Sequence, residues 1–179
     1  MLKKILIVLL LILTGCSSTT PSLTKADMSG YEDFTDTEHV FYDMTVKEMI
    51  DKIDNKDTFV VYFGFSECPY CNVAVPLLND VAKDYDSIVY YIDTRSNEEW
   101  ESNMDIDDYD LVVEYLGEYL DYDDDGKKHL YTPHVFFFKD GEVVKEHEGT
   151  IDGKTDEMST QDVEELKEIY TEGFGDING

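Results

Sequence analysis

The chain has 179 residues, and 41 Asp and Glu against 14 Lys and Arg give it a formal charge of −27. That length suits one domain of ordinary size, and so acidic a chain will not bind nucleic acid by neutralising phosphates. With 42% hydrophobic and 13% aromatic residues it is not a disordered acidic tail, and three cysteines do not make a disulfide-stapled mini-fold.

Lys3 and Lys4 precede an unbroken apolar run from Ile5 to Leu13. This is too short for a bilayer-spanning helix, which needs about 20 residues, and has the length of a signal-peptide core. Leu13-Thr14-Gly15-Cys16 follows and resembles the bacterial lipobox. In that motif the chain is cut before the cysteine, and the thiol receives a diacylglycerol. The expected organisation is a signal peptide over 1–15, lipidation at Cys16 and a flexible tether over 16–38. A folded domain over 39–172 and a tail over 173–179 complete it. The tether expectation rests on a Ser-, Thr-, Asp- and Glu-rich composition without hydrophobic periodicity. The expected location is the outer face of the cytoplasmic membrane, where disulfides persist.

Within the domain, His39 to Met44 reads as an edge strand. Thr45 and Glu48 hold capping-box positions for a helix that presents Met49, Ile50 and Ile53, and Asn55 to Asp57 ends it. Thr58 to Phe65 is β-branched and aromatic at consecutive positions, the pattern of a strand buried on both faces. A helix to about Tyr85 follows, then a second central strand from Ile88 to Ile92. Ile106, Leu111, Val112, Tyr115, Leu116, Tyr119 and Leu120 recur at helical spacing in an acidic stretch. Val135 to Phe138 and Glu142 to Lys145 flank Asp140-Gly141, a hairpin signal. A helix from Thr160 to about Tyr170 closes the domain, with Thr160 a partial cap because Val163 stands where a capping box needs Glu.

The chemistry lies in Cys68-Pro69-Tyr70-Cys71, directly after the central strand and opening the next helix. Unpaired N–H groups and the positive dipole end at a helix start favour thiolate over thiol. Cys68 is therefore the expected nucleophile, and Cys71, beyond two intervening residues, the resolving thiol. Pro69 falls in the first turn, where a missing N–H costs nothing. A metal half-site is the competing reading of two such cysteines, but His39, His129, His134 and His147 are scattered and supply no second ligand pair.

The stretch Phe59 to Leu78 resembles the strand–CxxC–helix signature of the thioredoxin superfamily, with Pro76 where that family carries its helix-kinking proline. Thr132-Pro133 before Val-Phe-Phe-Phe-Lys-Asp-Gly resembles its cis-proline loop and following hairpin. The resemblance implies an α/β thioredoxin-like fold. A central mixed β-sheet is flanked by helices, with an acidic helical insertion before the cis-proline strand. It implies a redox-active Cys68–Cys71 disulfide and no other cofactor, with Tyr70, Thr132 and Pro133 contacting substrate. The lipobox, Cys-Pro-Tyr-Cys, Tyr90 to Thr94, the acidic insertion and Thr132-Pro133 together look like bacteriocin transport accessory proteins, small extracytoplasmic proteins of Gram-positive bacteria. The implied partners are a secreted thiol or disulfide peptide or protein such as a bacteriocin, a membrane redox partner, and the membrane itself through the lipid anchor.

Three departures bear on the chemistry. Thioredoxins carry a buried Asp six residues before the first cysteine; Tyr62 stands there, so proton exchange with the second thiol must use another group or water. Glu67 replaces a Trp, and a nearby carboxylate disfavours a thiolate. Pro-Tyr is the glutaredoxin dipeptide, though no basic groups for glutathione lie near it. His134 is read either as a substrate contact or as packing against the sheet edge.

Asp121, Asp123, Asp125 and Gly126 match the opening of an EF-hand loop, but Thr132 stands where the bidentate Glu belongs. A solvated acidic loop is the favoured reading and weak calcium binding the alternative. Two function classes are carried forward. One is a thiol–disulfide oxidoreductase. The other is a thioredoxin-like adaptor of a bacteriocin exporter, in which the cysteines form a structural disulfide.

Overall fold

The computed structural model describes residues 23–32, 34–95, 104, 106–155 and 158–179. The expected signal peptide, Cys16 and the first part of the expected tether, 16–22, lie outside the described residues. The elements in chain order are β1 (Phe41–Asp43), α1 (Val46–Asp54), β2 (Phe59–Gly64), α2 (Pro69–Asp84) and β3 (Val89–Asp93). Then come α3 (Ile106–Leu116), β4 (Asp121–Tyr122), β5 (Lys128–His129), β6 (His134–Lys139), β7 (Glu142–Glu148), a short 3₁₀ turn (Ile151–Gly153) and α4 (Thr160–Asn178).

Five strands form one mixed sheet in the order β1-β3-β2-β6-β7, with β1, β3 and β2 parallel and β6 and β7 antiparallel. This is the thioredoxin-like topology the sequence implies, and β1 lies at the edge as expected. All six residues of β2 are buried. Its alternation divides the core: Val60 and Tyr62 join the cluster under α2 and α4, whereas Phe59, Val61 and Phe63 join the one under α1 and α3. The Thr45–Glu48 capping box starts α1 as predicted. The β6–β7 turn takes left-handed φ at Asp140 and Gly141, +53° and +81°, as a tight Asp-Gly hairpin turn requires.

Three expectations are corrected. Residues 23–38 do not behave as a tether throughout. Ala26, Met28 and Tyr31 are buried in the α2–α4 core cluster, and Lys25 forms an isolated antiparallel bridge to Tyr42. Asp36 takes hydrogen bonds from Asn79 and Lys83 on α2, and the Lys83 ammonium holds its carboxyl down at about 2. Apolar residues scattered without period are read as linker, yet an irregular segment buries them equally well against a preformed surface.

The second correction is the tail. Helix α4 continues to Asn178, because Phe174 is fully buried, edge-on to Phe137 at 5.2 Å and stacked on Tyr85 at 5.4 Å. Gly173 permits that approach; a Cβ there would stand 2.6 Å from the Phe137 ring. The two glycines that suggest a break each cost a helix about 1 kcal/mol, which the burial of an aromatic ring offsets. The third is the α4 cap. Ser159, not Thr160, caps the helix and pairs with Asp162 in a full capping box, Asp taking the place of Glu.

Candidate redox site

Cys68 is the N-cap residue of α2 and Pro69 its first helical residue. Pro76 lies inside the same helix. Both cysteines are free thiols, buried at 4% and 0% exposure. The Cys71 amide donates to the Cys68 sulfur at 3.3 Å, and the Thr132 hydroxyl reaches it at 3.9 Å. In its thiol form Cys68 donates to the Thr132 carbonyl at 3.6 Å. The Thr132–Pro133 peptide is cis, as the resemblance implies, and Pro133 is buried. The sequence-predicted residues Cys68, Cys71, Thr132 and Pro133 are thus brought together from α2 and the loop before β6.

The two thiols are held in opposite states. The hydrogen bond from the Cys71 thiol pulls Cys68 down to about 6 from an ordinary 9.0, with help from the Cys71 amide and the Thr132 hydroxyl, against the cost of burial. Cys71 is pushed far up, first by burial and then by the negative charge beside it. An ionised Cys68 beside a protonated Cys71 is the arrangement of an attacking and a resolving thiol. Glu67, expected to oppose the thiolate, is exposed and takes the Ser66 hydroxyl at 3.2 Å.

A groove of about 710 Å³ opens beside Cys68. Its lining includes Cys68, Tyr70 and Thr132 and, from the insertion, Tyr109, Leu130 and Tyr131. Tyr70 and Tyr131 are 38% and 40% exposed, enough to meet a docked chain. The Leu130 amide donates to the Tyr109 hydroxyl at 3.1 Å, tying α3 to the segment before the cis-proline. Tyr109, Leu130 and Tyr131 belong to no motif; helical spacing marked α3, but only tertiary packing brings it to the redox centre.

His134 is fully buried on β6, stacked on Phe136 at 4.2 Å and hydrogen-bonded to Glu146 at 2.7 Å. It packs within the sheet, on an internal strand rather than at an edge. The EF-hand-like stretch folds as the β4–β5 hairpin, in which Asp123 Oδ1 accepts the amides of Asp125 and Lys127 at 3.0 and 2.8 Å. Among the described residues no three His, Cys, Asp or Glu side chains converge as a metal site.

Topology and site define a thioredoxin-fold protein with a CxxC pair at the start of α2. Similar solved structures include a putative oxidoreductase with a thioredoxin fold, at 18% identity and TM-score 0.44, covering 72% of this chain and 94% of the other. Thioredoxin O2 of Arabidopsis thaliana in its oxidised state is similar at 17% identity and TM-score 0.43, covering 75% of this chain and 94% of that one. A mutant thioredoxin from Halobacterium salinarum is similar at 18% identity and TM-score 0.42, covering 75% of this chain and 89% of that one. No family model and no curated protein matches the chain.

Proposed function

We propose that this chain is a membrane-tethered, extracytoplasmic thiol–disulfide oxidoreductase acting on secreted peptides or proteins. The observation that carries the redox part is the pairing of a low-pKa Cys68 with a buried, protonated Cys71 opposite the cis-Thr132–Pro133 backbone. Cys68 attacks a substrate disulfide, or as part of the Cys68–Cys71 disulfide is attacked by a substrate thiolate. Cys71 resolves the mixed disulfide, and Thr132 offers its backbone to the substrate chain. Stabilising the thiolate stabilises the reduced form, which makes the disulfide the stronger oxidant. Oxidation or isomerisation of secreted thiols is therefore the favoured direction.

The tether and location rest on the lipobox-like sequence ending at Cys16, and a place beside bacteriocin export rests on the motif resemblance. Trapping tests the catalytic roles. Cys71→Ser accumulates mixed disulfides with secreted proteins, whereas Cys68→Ser does not; equal trapping by both variants overturns the assignment. Radiolabelled palmitate incorporation that disappears in Cys16→Ala tests the anchor, and a wild-type chain that takes up no label removes it.

A further inference from the structure

The N-terminal segment is fixed at the same edge of the sheet as the dithiol. Strands β1, β3 and β2 are parallel, so their C-terminal ends lie on one edge: Asp43 is level with Tyr91, and Asp93 with Gly64, four residues before Cys68. Along the outer side of β1 the chain runs antiparallel, the Asp43 amide donating to the Thr24 carbonyl at 2.9 Å and the Ala26 amide to the Phe41 carbonyl at 3.2 Å. Leu23 therefore lies at the dithiol edge, where the preceding chain joins the domain. After burying Ala26 and Met28 the segment returns to that edge. Gly30 abuts Ser66, whose hydroxyl would stand 2.9 Å from a Cβ there, and the Glu32 amide bonds to Asn72. The far edge carries Phe59, Phe138 and Glu142, and α4 ends beside it, where the Lys139 ammonium donates to the Asp176 carbonyl at 3.1 Å.

We infer that the N-terminal tether turns the dithiol edge toward the bilayer, so that the cysteines exchanged at Cys68 are carried by polypeptide displayed at the membrane surface rather than by freely diffusing peptide. The inference rests on the anchored-oxidoreductase reading above and adds the orientation of the site and the kind of partner it meets. Leu23 stands seven residues beyond Cys16, and a chain of that length spans at most about 25 Å. At about 3.3 Å per residue, the six residues of β2 put the far edge roughly 20 Å behind the near one. Bringing the far edge to the bilayer would draw the tether out along the whole length of the sheet, at the cost of its conformational entropy. Bringing the dithiol edge there asks nothing of it.

The surface of that edge suits polypeptide and not lipid. Tyr70 and Tyr131, exposed beside the groove, and Tyr122, on the β4–β5 hairpin that leads into it, offer apolar area to a partner chain. Glu67 and Asp121 are exposed at the same edge, Asp121 opposite His129 of the groove, and carboxylates there oppose adsorption to anionic lipid. The edge thus faces the bilayer across a layer of water, in which a chain leaving the membrane meets Cys68.

Anchoring the chain from either end tests this. Vesicles of phosphatidylcholine and phosphatidylglycerol carry the native lipidated chain or, made without its signal peptide and with Cys16→Ser, a chain held by a C-terminal hexahistidine tag on a nickel-chelating lipid. The second anchor pulls on the end of α4 and presents the far edge. Excess oxidised chain meets a two-cysteine peptide, either soluble or lipid-anchored in the same vesicles; the peptide dithiol is oxidised as the Cys68–Cys71 disulfide is reduced. The natively anchored chain oxidises the anchored peptide roughly tenfold faster or more than the tag-anchored chain, because geometry denies the latter its effective concentration. Both oxidise the soluble peptide at equal rates. In a natively anchored Cys68→Ser/Cys71→Ser chain, energy transfer to headgroup-labelled lipid is greater from a dye at Tyr70→Cys than at Glu142→Cys, and Glu67→Cys and Asp54→Cys repeat the comparison. Equal rates on the anchored peptide, or equal transfer from the two edges, overturn the orientation. A native chain that washes off the vesicles overturns the tether reading, and one that stays but oxidises neither peptide overturns the oxidoreductase reading; the inference falls with either.

Discussion

The amide N–H of Cys71 points at the sulfur of Cys68 from 3.3 Å, so the second cysteine of the pair solvates negative charge on the first. The helix supplies the donor, and the two-residue spacing aims it.

Alkylation measures that solvation. The rate of iodoacetamide modification at Cys68 rises with pH to a midpoint of about 6, far below the roughly 8.5 of a free cysteine. Thr132→Val removes the hydroxyl donor at 3.9 Å and moves the midpoint up, by less than about one unit because the Cys71 donors remain. A wild-type midpoint at the value of a free cysteine contradicts the geometry.

Stability of the reduced protein follows from the same shifts. Cys68 has a depressed pKa in the folded state, so its contribution is fully present above the unfolded value of 9.0 and is lost as pH falls through about 6. Cys71 has a raised one, so above 9.0 the unfolded chain ionises first and the gain reverses. The Tm of the reduced wild type relative to Cys68→Ala rises between about pH 6 and pH 9, and a difference that stays flat across that window refutes the linkage.

The redox potential of the Cys68–Cys71 pair, equilibrated with glutathione buffers, lies above the roughly −270 mV of thioredoxin, because the thiolate stabilises the reduced form. A value at or below that of thioredoxin reverses the favoured direction and points to a reductase.

Residues 23–38 give a stability test. Met28 is 3% exposed, and Met28→Ala costs about 2 kcal/mol, or roughly 4–8 °C in Tm for a domain of this size. A true linker residue would leave the thermal melt unmoved.

Charge gives a kinetic test. With a formal charge of −27, the protein attracts cationic peptides, so oxidation of a Lys-rich dithiol peptide slows between low and physiological ionic strength. Salt-insensitive rates refute steering.

The fold was legible where the pattern was local. Thr58 to Phe65 announces a doubly buried strand, Asp140-Gly141 a hairpin, and Cys68-Pro69 a helix start, because each reports its own burial or dihedral demand. The dithiol and the cis-proline loop were legible because chemistry fixes their residue types. Tyr62 was visible only as an odd substitution; Tyr91, on which its ring stacks, and Tyr31, bonded to Tyr91, arrive from 29 positions after and 31 before. Met28, Tyr31 and Phe174 were missed because irregular segments and Gly-containing helix ends bury side chains without a period. The groove wall at Tyr109 and Tyr131 was missed because it is a property of docking, not of spacing.

Asn72, one residue beyond the dithiol, joins two parts of the chain through opposite ends of one amide. Its oxygen accepts the Glu32 amide at 2.6 Å, and its nitrogen donates to the carbonyls of Ser66 and Cys68 at 2.8 and 3.1 Å. The side chain is a mechanical joint. The group that fixes the backbone of Ser66 and Cys68 also fixes that of Glu32, so the N-terminal segment and the start of α2 hold each other in register through one amide.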